Sequence, residues 1–382
     1  MWLSIAGGLA LGGGAPIVAH AEEVPIKGAP DPAPKTPAKK PRVEVVFVLD
    51  TTGSMTGMIE GAKAKIWSIA TAIATGKSKP DVAIGLVAYR DRGDEYVTKV
   101  TPLTEDLDKV YGDLKSFRAD GGGDLPEDVR AGLDAALGKI KWSQDKETLK
   151  IIFLVGDAPP HMDYQDEPTV DEICKKAVTA GVIINTVRCG GDQDCERIFG
   201  AIARKSEGRF FTVDQTGGVV VVATPYDKDL GALNDKMGGT LLAYGDTASR
   251  SGAMAREAEA SAMAAPSKAD RACGKAAGAR YSSDDLVDAL KEKRVALDKI
   301  AVAELPEAMK NMKPEERQAY VEAKAKERDE LRAKIVELAR KRDAFIAEEL
   351  KKKGVKDTFD EVTLAALKEQ AKAKGIELTP AN

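Results

Sequence analysis

The strongest constraint on this chain is a rhythm between residues 43 and 214. Short, unbroken apolar runs alternate there with amphipathic stretches. "VEVVFVLD" (43–50), "VAIGLVAY" (82–89), "LKIIFLVG" (149–156) and "VIINTV" (182–187) are apolar at nearly every position. A strand with one wet face alternates in polarity, so continuous runs mark strands buried on both faces. "EYVTKVTPL" (95–103) and "RFFTVD" (209–214) complete the set. Between most of them lie stretches with apolar residues three and four apart, such as Met58, Ile59, Ala62, Ile66, Ile69 and Ile73. Strand and helix in alternation predict an α/β, doubly wound, mostly parallel sheet with helices on both faces. Only "RDRGD" separates the runs at 82–89 and 95–103. That is too short for a helical crossover, so these two form an antiparallel hairpin at one edge.

The flanks read differently. Residues 1–21 are weakly apolar, are broken by Gly and Pro, and end in Ala19-His20-Ala21. This is the pattern of a cleaved signal peptide and not of a membrane span, although the usual basic start is missing. It predicts a periplasmic or secreted protein, in all expectation bacterial, with no membrane span in the mature chain. Residues 22–42 mix Pro, Ala and Lys without periodicity, as a semi-rigid linker does. Residues 43–245 form the α/β domain, and 246–280 read as a linker with an Ala-rich helical tendency. Residues 281–382 read as an all-α segment, a helical hairpin or partial coiled coil. Its long helix starts near Pro314, and "FDEVTLAALKEQAKAKG" folds back on it. Lys324, Arg328 and Arg342 interrupt the heptad frame, and the charge run reads as a solvated face. Export makes disulfides possible, and Cys189 and Cys195 enclose a short turn-rich loop that favours their pairing; sequence does not pair Cys174 and Cys273.

Asp50 ends the first apolar run, at the strand edge where open α/β sheets bind ligands. Thr52 and Ser54 follow in "DTTGS" at two-residue steps. A second piece, "GGGDLPED" (121–128), supplies glycine freedom and Asp124 directly before a helix; a third is Asp157, again at a strand end. Carboxylates and hydroxyls converging at one rim suit a hard divalent cation: Mg²⁺ first, Mn²⁺ or Ca²⁺ as alternatives. Asp124 with Glu127 also fits a helix capping box, so ligand and cap stand side by side. His161, four residues past Asp157, reads as an exposed loop residue near it.

These three pieces, in this order, resemble a von Willebrand factor type A domain with its metal-ion-dependent adhesion site. The resemblance implies a six-stranded sheet ordered 3-2-1-4-5-6 with the metal between the first and fourth strands. Thr52 and Ser54 would bind it directly, Asp50 and Asp157 largely through water, and an acid from a protein partner would complete the octahedron. The middle loop departs from the family's usual threonine: Asp124, in "GGGDLPE", looks like the variant found in hemicentins and kinase-associated relatives. Arg90 and Asp91, in "YRDRGDEY", resemble a loop feature of the same variant group that would border the site.

The expected function is therefore non-enzymatic binding of a protein partner through a metal, with an acidic side chain of the partner as the candidate contact. Two other readings stand. One is a structural envelope protein whose metal only orders loops while the helical tail binds partners. The other is an aspartate-nucleophile phosphatase with Asp50 attacking phosphorus, which lacks an acid two residues on to protonate the leaving group. Lys+Arg 57 against Asp+Glu 61 gives a net charge of -4, so nothing advertises nucleic acid. No phosphate loop of the G-x-x-x-x-G-K type occurs. Oligomeric state is not legible.

Overall fold

The computed structural model describes residues 40–61, 69, 72–73, 76–215, 222–353 and 359–378. The signal peptide, most of the 22–42 linker, and Ala62 and Ile66 of the first amphipathic stretch lie outside these residues.

Six strands form the sheet: β1 (Arg42–Asp50), β2 (Asp81–Tyr89), β3 (Thr98–Thr104), β4 (Leu149–Gly156), β5 (Val182–Cys189) and β6 (Phe210–Val213). Their order is 3-2-1-4-5-6, with β2 and β3 antiparallel and the other neighbours parallel. The register shows why the apolar runs are continuous. Val45, Phe47 and Leu49 enter one core, and Val46 and Val48 enter the other. The first core lies under α1 (Leu107–Ser116) and the described helical residues 56–61, 69 and 72–73; Met58, Ile59, Ile69 and Ile73 are buried in it. The second lies under α2 (Val129–Gly138), α3 (Val170–Ala180) and α4 (Gln193–Lys205).

Beyond β6 the chain is helical: α5 (Asp227–Gly238), α6 (Thr247–Ser261), α7 (Ala265–Ala277), α8 (Leu286–Lys291), α9 (Pro314–Lys353) and α10 (Phe359–Ala373). Three expectations are corrected here. First, residues 246–280 are not a linker, because α6 and α7 occupy most of them. Few large apolar residues are available, so ion pairing compensates. Arg271 of α7 is fully buried, donating to Asp108 of α1 at 2.6 and 2.8 Å, to Glu257 of α6 at 2.6 and 3.1 Å, and to Asn234 at 2.8 Å. Second, the charged residues that interrupt the heptads of α9 are not all solvated. Arg328 is buried against Asp285 and Asp288, and Arg342 against Asp227 and Asp270, so α9 packs onto its own helical neighbours and not into a coiled coil. Third, α10 does not fold back on α9. Phe359, Val362, Ala366, Leu367 and Ala371 join the first sheet core, with the Phe359 ring 6.1 Å from that of Phe47. A buried amide pair fixes its place: Asn185 of β5 and Gln370 exchange hydrogen bonds of 3.0 and 2.7 Å. The sheet domain is thus completed by the last described helix, with α5 to α9 inserted before it.

The expected disulfide is also absent. All four cysteines are free, and Cys189 and Cys195 lie in the two different cores. Asp192 caps α4 by accepting from the Cys195 amide at 2.7 Å, and the turn carries Cys195 to the opposite face of the sheet.

Removing one partner from a buried ion pair strands the others without solvation. Arg271→Met should therefore cost about 3–5 kcal/mol in urea unfolding. A loss below about 1 kcal/mol would show that the pairs leave the helical insert unanchored.

Candidate metal centre

Three loops meet over the C-terminal ends of β1, β2 and β4. The sheet order reverses between β1 and β4, which opens the crevice where such sheets bind ligands. Backbone hydrogen bonds stitch the loops together. Gly53 N–H donates to Gly121 O at 3.3 Å, and Asp120 N–H to Thr51 O at 3.1 Å, joining the first loop to the middle one. Glu127 N–H donates to Pro159 O at 3.0 Å, and His161 N–H to Glu127 O at 3.1 Å, joining the middle loop to the third. The glycine run is needed at two positions. Gly121 and Gly122 have φ of 77° and 83°, and a Cβ on Gly121 would sit 2.2 Å from Asp94 Oδ1.

Asp50 is fully buried. Its Oδ1 accepts from the Thr52 amide at 2.9 Å and the Thr52 hydroxyl at 2.6 Å; its Oδ2 has no hydrogen-bond partner. Ser54 is exposed, with its Oγ 3.4 Å from Thr52 Oγ1. Asp157 follows β4, next to β1. Its Oδ2 accepts from Gln215 Nε2 at 2.6 Å, and its buried Oδ1 has no partner. Asp50, Thr52, Ser54 and Asp157 therefore share one rim.

Asp124 does not lie as expected. It caps no helix: the N-cap of α2 is Asp128, which accepts from Ala131 N–H at 3.0 Å. Its Oδ1 instead lies 3.7 Å from His161 Nε2. His161 is no exposed loop residue, since only 8% of its surface is accessible. The bridge between Glu127 and Pro160 draws it inward. Arg90 is a buttress: its Nε donates to Thr51 O at 3.1 Å and its Nη2 to Arg118 O at 2.7 Å. Asp91 is buried and accepts from Tyr164 Oη at 2.9 Å.

Two residues escaped the sequence reading. Glu127, read only as a capping partner, is buried beside Thr52; a Cβ on Gly122 would meet both Glu127 Oε1 at 3.2 Å and Thr52 Cβ at 3.4 Å. Its Oε2 has no partner. Gln215, which orients Asp157, carries no sequence signal beyond its place just after β6.

The electrostatics are those of a site short of positive charge. Burial pushes the Asp50 carboxyl up to about 7, with the Asp157 charge adding to it and the Thr52 hydrogen bonds opposing. Burial, then the charges of Asp50 and Asp91, push Glu127 up to about 9. Orphaned, buried carboxylate oxygens beside two hydroxyls make an oxygen-only donor set, which fits a hard divalent cation.

Comparison with known proteins agrees. Residues 44–224 match the family model described as the von Willebrand factor A domain. That part of the chain belongs to the von Willebrand factor A (VWA) domain family. Among curated relatives, an alpha-protein kinase of Dictyostelium discoideum is 30% identical over 121 residues, covering 31% of this chain and 19% of that protein. A putative ariadne-like RING finger protein of Acanthamoeba polyphaga mimivirus is 27% identical over 119 residues, covering 31% of this chain and 11% of that protein. The chain thus spans less than a fifth of either relative's length. Among solved structures, the VWA domain of SpRpn10 aligns with TM-score 0.35 at 14% identity, over 48% of this chain and all of that one. Proximal thread matrix protein 1 of the mussel byssus aligns with TM-score 0.36 at 14% identity, over 46% of this chain and 42% of that one. Both likenesses are too remote to carry weight beyond the family match.

A carboxyl whose pKa is raised by folding binds more protons in the native state, so stability falls as pH rises through that interval. Cation-free VWA protein should lose a few kcal/mol between about pH 4 and pH 9, and Asp50→Asn should flatten that slope. Thermal melts in chelator across this range check it; a slope unchanged in Asp50→Asn would contradict the assignment.

Proposed function

We propose that the VWA domain is an exported, non-enzymatic binding module. Asp50, Thr52, Ser54, Glu127 and Asp157 would hold a divalent cation, Mg²⁺ in the first instance, to capture a protein partner. What supports this best is the pair of unpartnered, buried oxygens, Asp50 Oδ2 and Asp157 Oδ1, at neighbouring strand ends. A buried carboxyl oxygen without a partner is costly, and a cation is the direct remedy. The cation would supply Lewis acidity toward a partner oxygen. The chain's residues do the positioning: Thr52 fixes one Asp50 oxygen, Gln215 orients Asp157, and exposed Ser54 marks the side open to a partner. The Asp50 and Asp157 carboxylates would offset the cation's charge. A partner carboxylate is then an acceptable donor, but long-range attraction contributes little.

Catalysis by Asp50 is disfavoured, because a carboxyl with no accessible surface cannot attack a substrate in line. The tail-binding reading is disfavoured as well, since the apolar face of α10 in the 281–382 segment is already used, with Phe359, Val362, Ala366, Leu367 and Ala371 packed into the first sheet core. Export rests on the leader alone. Among the described residues no helix is long and apolar enough to cross a membrane.

Titration calorimetry of Mg²⁺ into the protein should show uptake that Asp157→Ala abolishes and Ser54→Ala weakens about tenfold or more. A fluorescent acidic peptide should then bind wild type in Mg²⁺ and not in chelator. Peptide binding indifferent to chelator would overturn the metal-mediated reading.

A further inference from the structure

A second constellation lies beside this centre, contributed by other side chains. The loop after β2 supplies Asp91, the middle loop Asp124 and the third loop His161. Their ligand atoms all lie within 4.8 Å of one another. His161 Nε2 is buried and has no hydrogen-bond partner. It faces Asp91 Oδ1 at 3.5 Å and Asp124 Oδ1 at 3.7 Å.

The other ring nitrogen decides what Nε2 carries. Nδ1 lies 2.9 Å from Asp163 Oδ1, and a carboxylate accepts, so Nδ1 holds the proton. In the neutral ring Nε2 is then a lone pair aimed at two carboxylate oxygens. Three acceptors thus lie within 4.8 Å of one another. The two spacings from Nε2, 3.5 and 3.7 Å, are long for hydrogen bonds but close to the roughly 3.4 Å edge of a tetrahedron with metal–ligand bonds of about 2.0–2.2 Å.

We propose that Asp91, Asp124 and His161 form a second cation site, separate from the oxygen-only centre, that takes Zn²⁺ or a similar first-row transition ion. One imidazole nitrogen with two carboxylate oxygens selects such ions over Mg²⁺ and Ca²⁺. The surroundings are built as the outer contacts of a metal site are. Asp163 fixes the His161 tautomer, and Tyr164 Oη holds Asp91 at 2.9 Å. The Tyr164 ring stacks on His161 with centroids 4.2 Å apart, and the Arg92 guanidinium covers Tyr164 at 3.9 Å. Asp124 is mostly exposed, leaving a fourth position open to water or a ligand. Two negative carboxylates balance the ion's charge. The rival occupant is a proton. Burial opposes charging the ring, but the Asp163 hydrogen bond and the Asp91 and Asp124 charges carry its pKa above the usual histidine range.

The test is titration of Zn²⁺ into the full chain under saturating Mg²⁺, followed by Co²⁺ with visible absorption. Wild type should take up one Zn²⁺ and give a strong tetrahedral Co²⁺ band. His161→Gln should lose both, and Asp163→Asn should weaken Zn²⁺ by about tenfold to a hundredfold. Asp157→Ala should lose Mg²⁺ uptake and keep Zn²⁺, so the two centres fail independently. Circular dichroism melts check that each variant is folded. No Zn²⁺ uptake by wild type would mean that a proton fills the gap, and the proposal falls. It falls equally if His161→Gln binds Zn²⁺ as wild type does, or if Asp157→Ala abolishes it.

Discussion

Asp50 sets the terms for the rest of the rim. A carboxylate with no accessible surface is held at the end of the central strand, satisfied at one oxygen by Thr52 and bare at the other. Nothing in a hydrophobic sheet favours such a group. The neighbouring strand end contributes a second bare oxygen from Asp157, and the middle loop contributes Glu127. The fold thus gathers carboxyl groups at the point where β1 and β4 diverge, and two of them, Asp50 and Glu127, are buried and cannot turn away to water.

The scaffold makes this arrangement rigid. Both cores clamp β1 from either side, and the three loops are tied to each other by main-chain hydrogen bonds that need no particular side chain. The glycines of the middle loop allow a left-handed path that brings the loop over Thr52. The helical insert is joined to the same body by the buried Arg271 network, and α10 seals the sheet face beneath the centre. Distant parts of the chain therefore hold the strand whose last residue is Asp50.

How much was legible beforehand follows from range. Strand order and the edge hairpin were readable because burial on both faces and a five-residue connection are local signals. Asp50, Thr52, Ser54 and Asp157 were readable because strand ends can be located from apolar runs. Asp124 and Glu127 were not, since which of two acids turns inward depends on the Glu127–Pro160 bridge, a long-range pairing. His161 was misplaced for the same reason. The insert was misread because its stability comes from Arg271, Arg328 and Arg342, and a buried arginine looks in sequence like a solvated one. The position of α10 rests on its apolar face meeting the first sheet core and on an amide pair, Asn185 with Gln370, a long-range match that no periodicity reveals.

The most direct test of the central claim is anomalous diffraction from crystals grown with Mn²⁺. The account requires a Mn²⁺ peak at the rim of β1 and β4, within coordination distance of Thr52 Oγ1 and Ser54 Oγ and reached directly or through water by Asp50 and Asp157. A well-ordered rim with no anomalous density, and with Asp50 Oδ2 still unpartnered, would contradict it.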